Sequence, residues 1–130
     1  MPPPAMRLTV LAALLLSGCS QAWLSPGPSL PGTSWVVPGT EATLTFGEGM
    51  QLSGFTGCDR FTARYTQGPR RNALTVTEAV ATERACAPEA MRTERRVLEA
   101  LGRVAEAYGR DELTLADASG AVLLTLRRAE

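Results

Sequence analysis

The stretch whose reading decides the fold runs from Glu41 to Tyr65, "EATLTFGEGMQLSGFTGCDRFTARY". Its first six residues alternate, with Ala42, Leu44 and Phe46 on one face and Thr43 and Thr45 on the other, the period of a half-buried strand. Gly47–Gly49 supplies a turn, and Met50–Phe55 returns as the hairpin partner. "RFTARY", Arg60–Tyr65, alternates again and sets Phe61, Ala63 and Tyr65 on one side.

Working outward, "SWVVP" predicts a strand near Trp35–Val37 that Pro38 ends. "ALTVTEAVATE", Ala73–Glu83, predicts two short strands or one bent one. Then the period changes. "APEAMRTERRVLEALGR", Ala87–Arg103, carries Met91, Val97, Leu98 and Leu101 at helical spacing, with Glu and Arg on the other positions. Pro88 suits the first turn, and Glu89 sits at the positive end of the helix dipole. Glu94 and Glu99 fall on the polar face and are expected to be solvated.

Past Gly102 the period of two returns in Val104–Tyr108, Glu112–Asp117 and Gly120–Arg127, with a turn at Asp117–Gly120 between the last two. Strands, one helix and strands again predict an α+β fold: a curled, mainly antiparallel sheet, a partial barrel, packed by one main helix. Curling would hide the edges of so many short strands. Trp35, Phe46, Phe55, Phe61 and Tyr65 sit at strand positions and are expected in the core.

The N-terminus, "MPPPAMRLTVLAALLLSGC", has one early cation, Arg7, an apolar run from Leu8 to Leu16 and small residues before Cys19. That is the plan of a secretory signal. The run is about half the roughly 20 apolar residues a spanning helix needs, and Met6 offers a tighter start than Met1. Leu16–Cys19, "LSGC", resembles the bacterial lipobox. The resemblance implies cleavage before Cys19 and acylation of its sulfur and new amine, and several acyl chains on one residue give stable anchoring. Ser20, not aspartate, follows, so the expected address is the outer membrane, facing the periplasm. Ser20–Gly32, "SQAWLSPGPSLPG", has no periodicity and reads as a tether. The chain thus divides into a signal segment 1–18, a lipidated cysteine and flexible tether 19–29, and one domain 30–130.

Of 130 residues, 13 are basic and 13 acidic; every basic residue is arginine and histidine is absent. Near-neutrality excludes the basic face of a nucleic-acid binder. Without histidine the commonest general base and the commonest metal ligand are both missing. Serine has no histidine or lysine to activate it, no glycine-rich loop has the phosphate-binding form, and no cofactor is expected.

Taken together, "LPGTSW", "ATLTF" with "SGFTGCDRFTARY", "ATERACAPEAM" and "ELTLADASGAVLLTL" resemble the META domain, or HslJ-like, family of small bacterial envelope proteins. The likeness spans Leu30–Leu126. It implies an antiparallel sheet curled around a helix, and links to heat or envelope stress and antibiotic tolerance without an agreed substrate. One position departs from the family pattern: Asp59 stands where asparagine usually follows the cysteine.

With Cys19 lipidated, Cys58 and Cys86 are the remaining thiols, and an even pair in an oxidising compartment is expected to form a disulfide. Each lies at an element boundary, so a bridge would pin helix to sheet. Closing a loop of about 29 residues would add roughly 3–4 kcal/mol in the chain-entropy model. The alternative is a redox-active pair, with Arg60 and Arg84 lowering a thiol pKa, although the spacing is not Cys-x-x-Cys. Two cysteines without histidine do not make a closed zinc site. Asp59 and Arg60 form a candidate polar handle for a ligand, as do Arg70 and Arg71 in the turn "QGPRRN". The sequence therefore points to a non-catalytic envelope lipoprotein that meets the membrane through Cys19 and binds or supports under stress. Its alternatives are a thiol–disulfide redox protein and an inhibitor-like module that holds a periplasmic protein.

Overall fold

The computed structural model describes Pro4 and residues 27–130. The rest of the signal segment, Cys19, and the tether as far as residue 26 lie outside the described residues.

Eight strands and one helix form in the expected order. Strands β1 (Thr33–Val36), β2 (Thr43–Phe46), β3 (Gln51–Phe55), β4 (Arg60–Gln67) and β5 (Leu74–Ala81) precede helix α1 (Pro88–Arg103); β6 (Glu106–Tyr108), β7 (Glu112–Ala116) and β8 (Val122–Arg128) follow it. They make one antiparallel sheet in the order β5-β4-β3-β2-β1-β8-β7-β6. The chain's first strand pairs with its last, so the two halves join at β1–β8.

The sheet curls until its outer strands meet at one end. Leu74 N–H donates to the Ala105 carbonyl at 3.0 Å, Ala107 N–H donates to the Asn72 carbonyl at 2.8 Å, and Ala73 bridges Glu106. Strand β6 is only three residues long, so the rest of the seam is left to α1, which packs against β5, β7 and β8. The result is the expected curled sheet with one helix across it. Curling demands close approach at the bends. At Gly54 a Cβ would overlap the Thr43 carbonyl and meet the Phe61 ring at 2.8 Å, so glycine is required there.

Period two and burial agree along the strands. Ala42, Leu44 and Phe46 are fully buried, as are Leu113, Leu115 and Leu126; Trp35, Phe61 and Tyr65 join them, and Phe55 is half-buried. Phe46 and Tyr65 meet edge to face with centroids 5.0 Å apart, and the Tyr65 hydroxyl donates to the Gly47 carbonyl at 2.8 Å. The Trp35 indole N–H donates to Thr33 Oγ1 at 2.8 Å, whose hydroxyl donates to the Leu30 carbonyl at 2.6 Å. Leu30 is itself fully buried, so the end of the expected tether is docked on the domain.

Ala73–Glu83 resolves as one bent strand. Thr62 pairs with Val80 but Arg64 with Thr77, which leaves an extra residue on β5, and Glu78 takes φ +55° in this bulge. The helix needs one correction. Val97, Ala100 and Leu101 form its buried stripe, Leu98 is half-buried, and Met91 is exposed. Only the second half of α1 lies on the core, so the predicted stripe runs one turn too far towards the N-terminus. No helix of the described residues is long and apolar enough to cross a membrane.

Candidate functional site

Loop residues Thr56–Asp59, between β3 and β4, bring the chemistry-bearing side chains together. The Thr56 hydroxyl oxygen accepts the N–H groups of Cys58 at 3.2 Å and Asp59 at 2.8 Å, and Thr56 N–H donates to the Asp59 carbonyl at 2.7 Å. This tight turn holds Cys58 against the segment that enters α1. Cys58 and Cys86 form a disulfide with Cα atoms 5.9 Å apart, within ordinary disulfide geometry. The bond joins the start of β4 to the start of α1, as the element boundaries predicted. Met91 Sδ lies 3.8 Å from the Cys58 sulfur and covers it from the helix.

Asp59 is buried, not an exposed handle. Its Oδ1 accepts the Thr82 hydroxyl at 2.8 Å and the Arg84 backbone N–H at 2.9 Å, and so fixes the segment leading to Cys86. Burial pushes this carboxyl up. The Thr82 hydroxyl, the Arg84 N–H, the Glu94 carboxyl and the Arg84 guanidinium pull it down, and the balance lies below the ordinary 3.8.

Glu94 corrects a second expectation. It is half-buried, and its Oε2 accepts the Thr56 hydroxyl at 2.8 Å, because the turn at Thr56–Gly57 packs over this part of α1. Glu99 is exposed as expected. Atoms of Cys58, Asp59 and Glu94 lie within 4.8 Å of one another. With Cys58 in a disulfide that trio offers two carboxylates and no thiolate, fewer than a closed site requires.

Arg60 is exposed and stands directly across from Phe55 on β3. With Arg84, Ser53 and Thr62 it lines an open groove of about 650 Å³ on the outer face of the sheet. Sequence spacing placed Arg60 and Arg84 near the sulfurs; the fold puts them on one groove. A second groove, of about 590 Å³, runs between Pro38–Glu41 and the start of α1, and Arg92, Arg96, Glu41 and Glu89 all line it.

Arg70 and Arg71 lie elsewhere. They occupy the exposed β4–β5 turn, at the far end of an eight-residue strand from Arg60, a separation on the order of 25 Å. The turn is shaped by its own hydrogen bonds, Gly68 N–H to the Ala73 carbonyl and Ala73 N–H to the Arg70 carbonyl, both 3.0 Å. The Gln67 amide donates to the Pro28 carbonyl at 2.8 Å. Gly27 approaches the Arg71 carbonyl too closely to carry a side chain. The four candidate binding residues thus divide into a pair beside the disulfide and a pair at the other end of the molecule.

The model of the META domain matches residues 23–130, which takes in every element just described. The chain belongs to the META domain family. No curated protein matches it. Two solved structures do. An NMR structure of a protein from Burkholderia xenovorans is 23% identical over 77% of this chain and 83% of its own, with a TM-score of 0.65. A second NMR structure is 24% identical over 75% of this chain and 90% of its own, with a TM-score of 0.60. Both share the fold of this META domain. Within it Asp59, the residue that departs from the resemblance, ties the β3–β4 turn to the Thr82–Arg84 segment and adds a buried negative charge.

Proposed function

We propose that this chain is a lipid-anchored envelope protein whose META domain acts by binding and support, not by catalysis, under envelope stress. The observation that carries the reading is the use of the reactive side chains. Cys58 and Cys86 are joined, and Asp59 and Asp117, whose carboxyls are held below their ordinary range, each hold a loop by hydrogen bonds. Perturbed acids that carry structure leave the surface free for recognition. The resemblance of Leu16–Cys19 to the lipobox supports the anchor, and the absence of histidine and lysine from the whole sequence supports a non-catalytic role. The formed disulfide does not favour the thiol–disulfide alternative.

The test is photocrosslinking in intact cells from a reactive residue placed at Thr62, Arg70 or Val122. Adducts of defined mass from the Thr62 or Arg70 position, with none from Val122, are the expected result; a protein adduct from Arg70 alone would identify the inhibitor-like mode of binding. No adduct from any position, together with a stress phenotype that follows reductant at unchanged fold, would contradict the reading and restore the redox alternative.

A further inference from the structure

The groove beside the disulfide has the chemistry of an anion site. Arg60 and Arg84 both line it, both are exposed, and neither makes an ion pair with any carboxylate among the described residues. By contrast, Arg64 meets Glu78 at 3.7 Å and Arg103 meets Asp117 at 3.3 Å. The Arg84 guanidinium feels the buried Asp59 carboxylate only at longer range, so two guanidinium groups on one groove lack a contacting carboxylate, and an anion between them would be attracted to both. The planar guanidinium also presents paired N–H donors that match two oxygens of a carboxylate or a phosphate.

Three further features shape the groove. Ser53 and Thr62 present hydroxyls from its walls, and half-buried Phe55 gives it an apolar surface. The cations are also set in place. Arg60 is on the β3–β4 ladder opposite Phe55. Arg84 has its backbone N–H on the buried Asp59 carboxylate and lies two residues before the disulfide at Cys86. Ordering these segments in advance removes a cost that ligand binding would otherwise carry. The groove at the start of α1 lacks this character, because two carboxylates, Glu41 and Glu89, line it together with its two arginines.

We propose that the groove formed by Phe55, Arg60 and Arg84 binds an oxyanion, carboxylate or phosphate, carried on an apolar body. The proposal rests on the binding reading above and names the ligand chemistry for one of its surfaces. Arg60 and Arg84 contact the anion, Phe55 contacts the apolar body, and Asp59 is a positioning residue for Arg84.

The experiment is calorimetric titration of phenyl phosphate and of inorganic phosphate into the full chain in neutral detergent, at low and high salt. Phenyl phosphate is expected to bind about tenfold more tightly than inorganic phosphate, the effect of roughly 1.4 kcal/mol from the buried ring. Arg60→Gln and Arg84→Gln are each expected to weaken it by about ten- to a hundredfold, the usual range for a hydrogen bond to a charged group, and the double variant to abolish it. Salt should weaken binding, and the unfolding midpoints should stay unchanged. Saturable binding of short-chain phosphatidylglycerol but not of short-chain phosphatidylcholine in the same titration, lost in the double variant, would identify a lipid headgroup as the source. Phenyl phosphate binding without phosphatidylglycerol binding would identify a soluble ligand, and either result supports the site. Absence of saturable binding with the fold intact, or binding that survives the double variant, would overturn it. Crosslinks from Arg70 but not Thr62 would remove this groove while leaving the binding reading in place.

Discussion

The carboxylate of Asp59 holds Arg84 by its backbone, 25 residues away in sequence, with the Arg84 N–H 2.9 Å from Oδ1. This contact sets the path of the chain from β5 to Cys86, so the disulfide and the buried carboxylate act on the same segment. Removing either should loosen it, by different physical routes.

Asp59→Ala leaves the Thr82 hydroxyl and the Arg84 N–H without their acceptor and is expected to lower the unfolding midpoint clearly. Asp59→Asn keeps an acceptor oxygen for both donors and can donate its amide towards Glu94, so it should retain most of the stability. Thermal unfolding of the two variants checks this; an Asn variant as unstable as the Ala variant would contradict the hydrogen-bond assignment.

The acid limb of stability follows from the same residue and from Asp117. At Asp117 the Ser119 hydroxyl and the Ala121 N–H lower the carboxyl against the cost of burial, with the Ser119 N–H and Arg103 adding to them. Both groups have folded pKa values below the unfolded 3.8. The unfolded chain therefore takes up these protons at higher pH than the folded chain. Their contribution is fully present above that value and is lost as pH falls through the folded pKa. Chemical denaturation between neutral pH and pH 2 should show stability falling mainly below about pH 4, and Asp59→Asn should flatten part of the fall.

Reduction, or the paired change Cys58→Ser with Cys86→Ser, should cost about 3–4 kcal/mol. For a domain of this size each kcal/mol corresponds to roughly 4–8 °C in the midpoint. The reduced domain is expected to keep its secondary structure, because the sheet and the α1 stripe do not depend on the bond. A midpoint unchanged by reduction would contradict the staple.

The bulge in β5 offers a stabilising change. Glu78 holds φ +55°, and its ion pair with Arg64 is long and exposed. Left-handed backbone costs an ordinary residue about 1–2 kcal/mol, and glycine gives back part of the difference through its freer unfolded chain. Glu78→Gly should raise stability by about 0.5–1 kcal/mol in a urea titration, whereas Glu78→Val should lower it.

Local period made most of this fold legible. The alternation of Ala42, Leu44 and Phe46, the repeat of Leu113, Leu115, Leu124 and Leu126, and the change of period at Ala87 each state which side of an element meets the core. The staple at Cys58 and Cys86 was expected from the even number of thiols left beside Cys19 and from an expected oxidising compartment, both argued from the linear sequence. What escaped depends on distant neighbours. Nothing near Glu94 reveals that Thr56 reaches it from 38 residues away, and nothing near Asp59 reveals that Thr82 and Arg84 close over it. The exposed Met91 escaped because helical spacing shows a stripe but not how far along the helix the sheet extends. The meeting of Asn72–Leu74 with Ala105–Ala107 is likewise a product of accumulated strand twist, and so the separation of Arg60 from Arg70 and Arg71 was not legible.

The most direct test is to trap free thiols with an alkylating reagent in intact cells and take the mass of the protein extracted from the membrane fraction. The expected mass is that of a chain beginning at Cys19, triacylated there, with no alkyl group on Cys58 or Cys86. A non-acylated or soluble chain would contradict the anchor, and alkylation of Cys58 or Cys86, full or partial, would contradict the staple and put redox chemistry first.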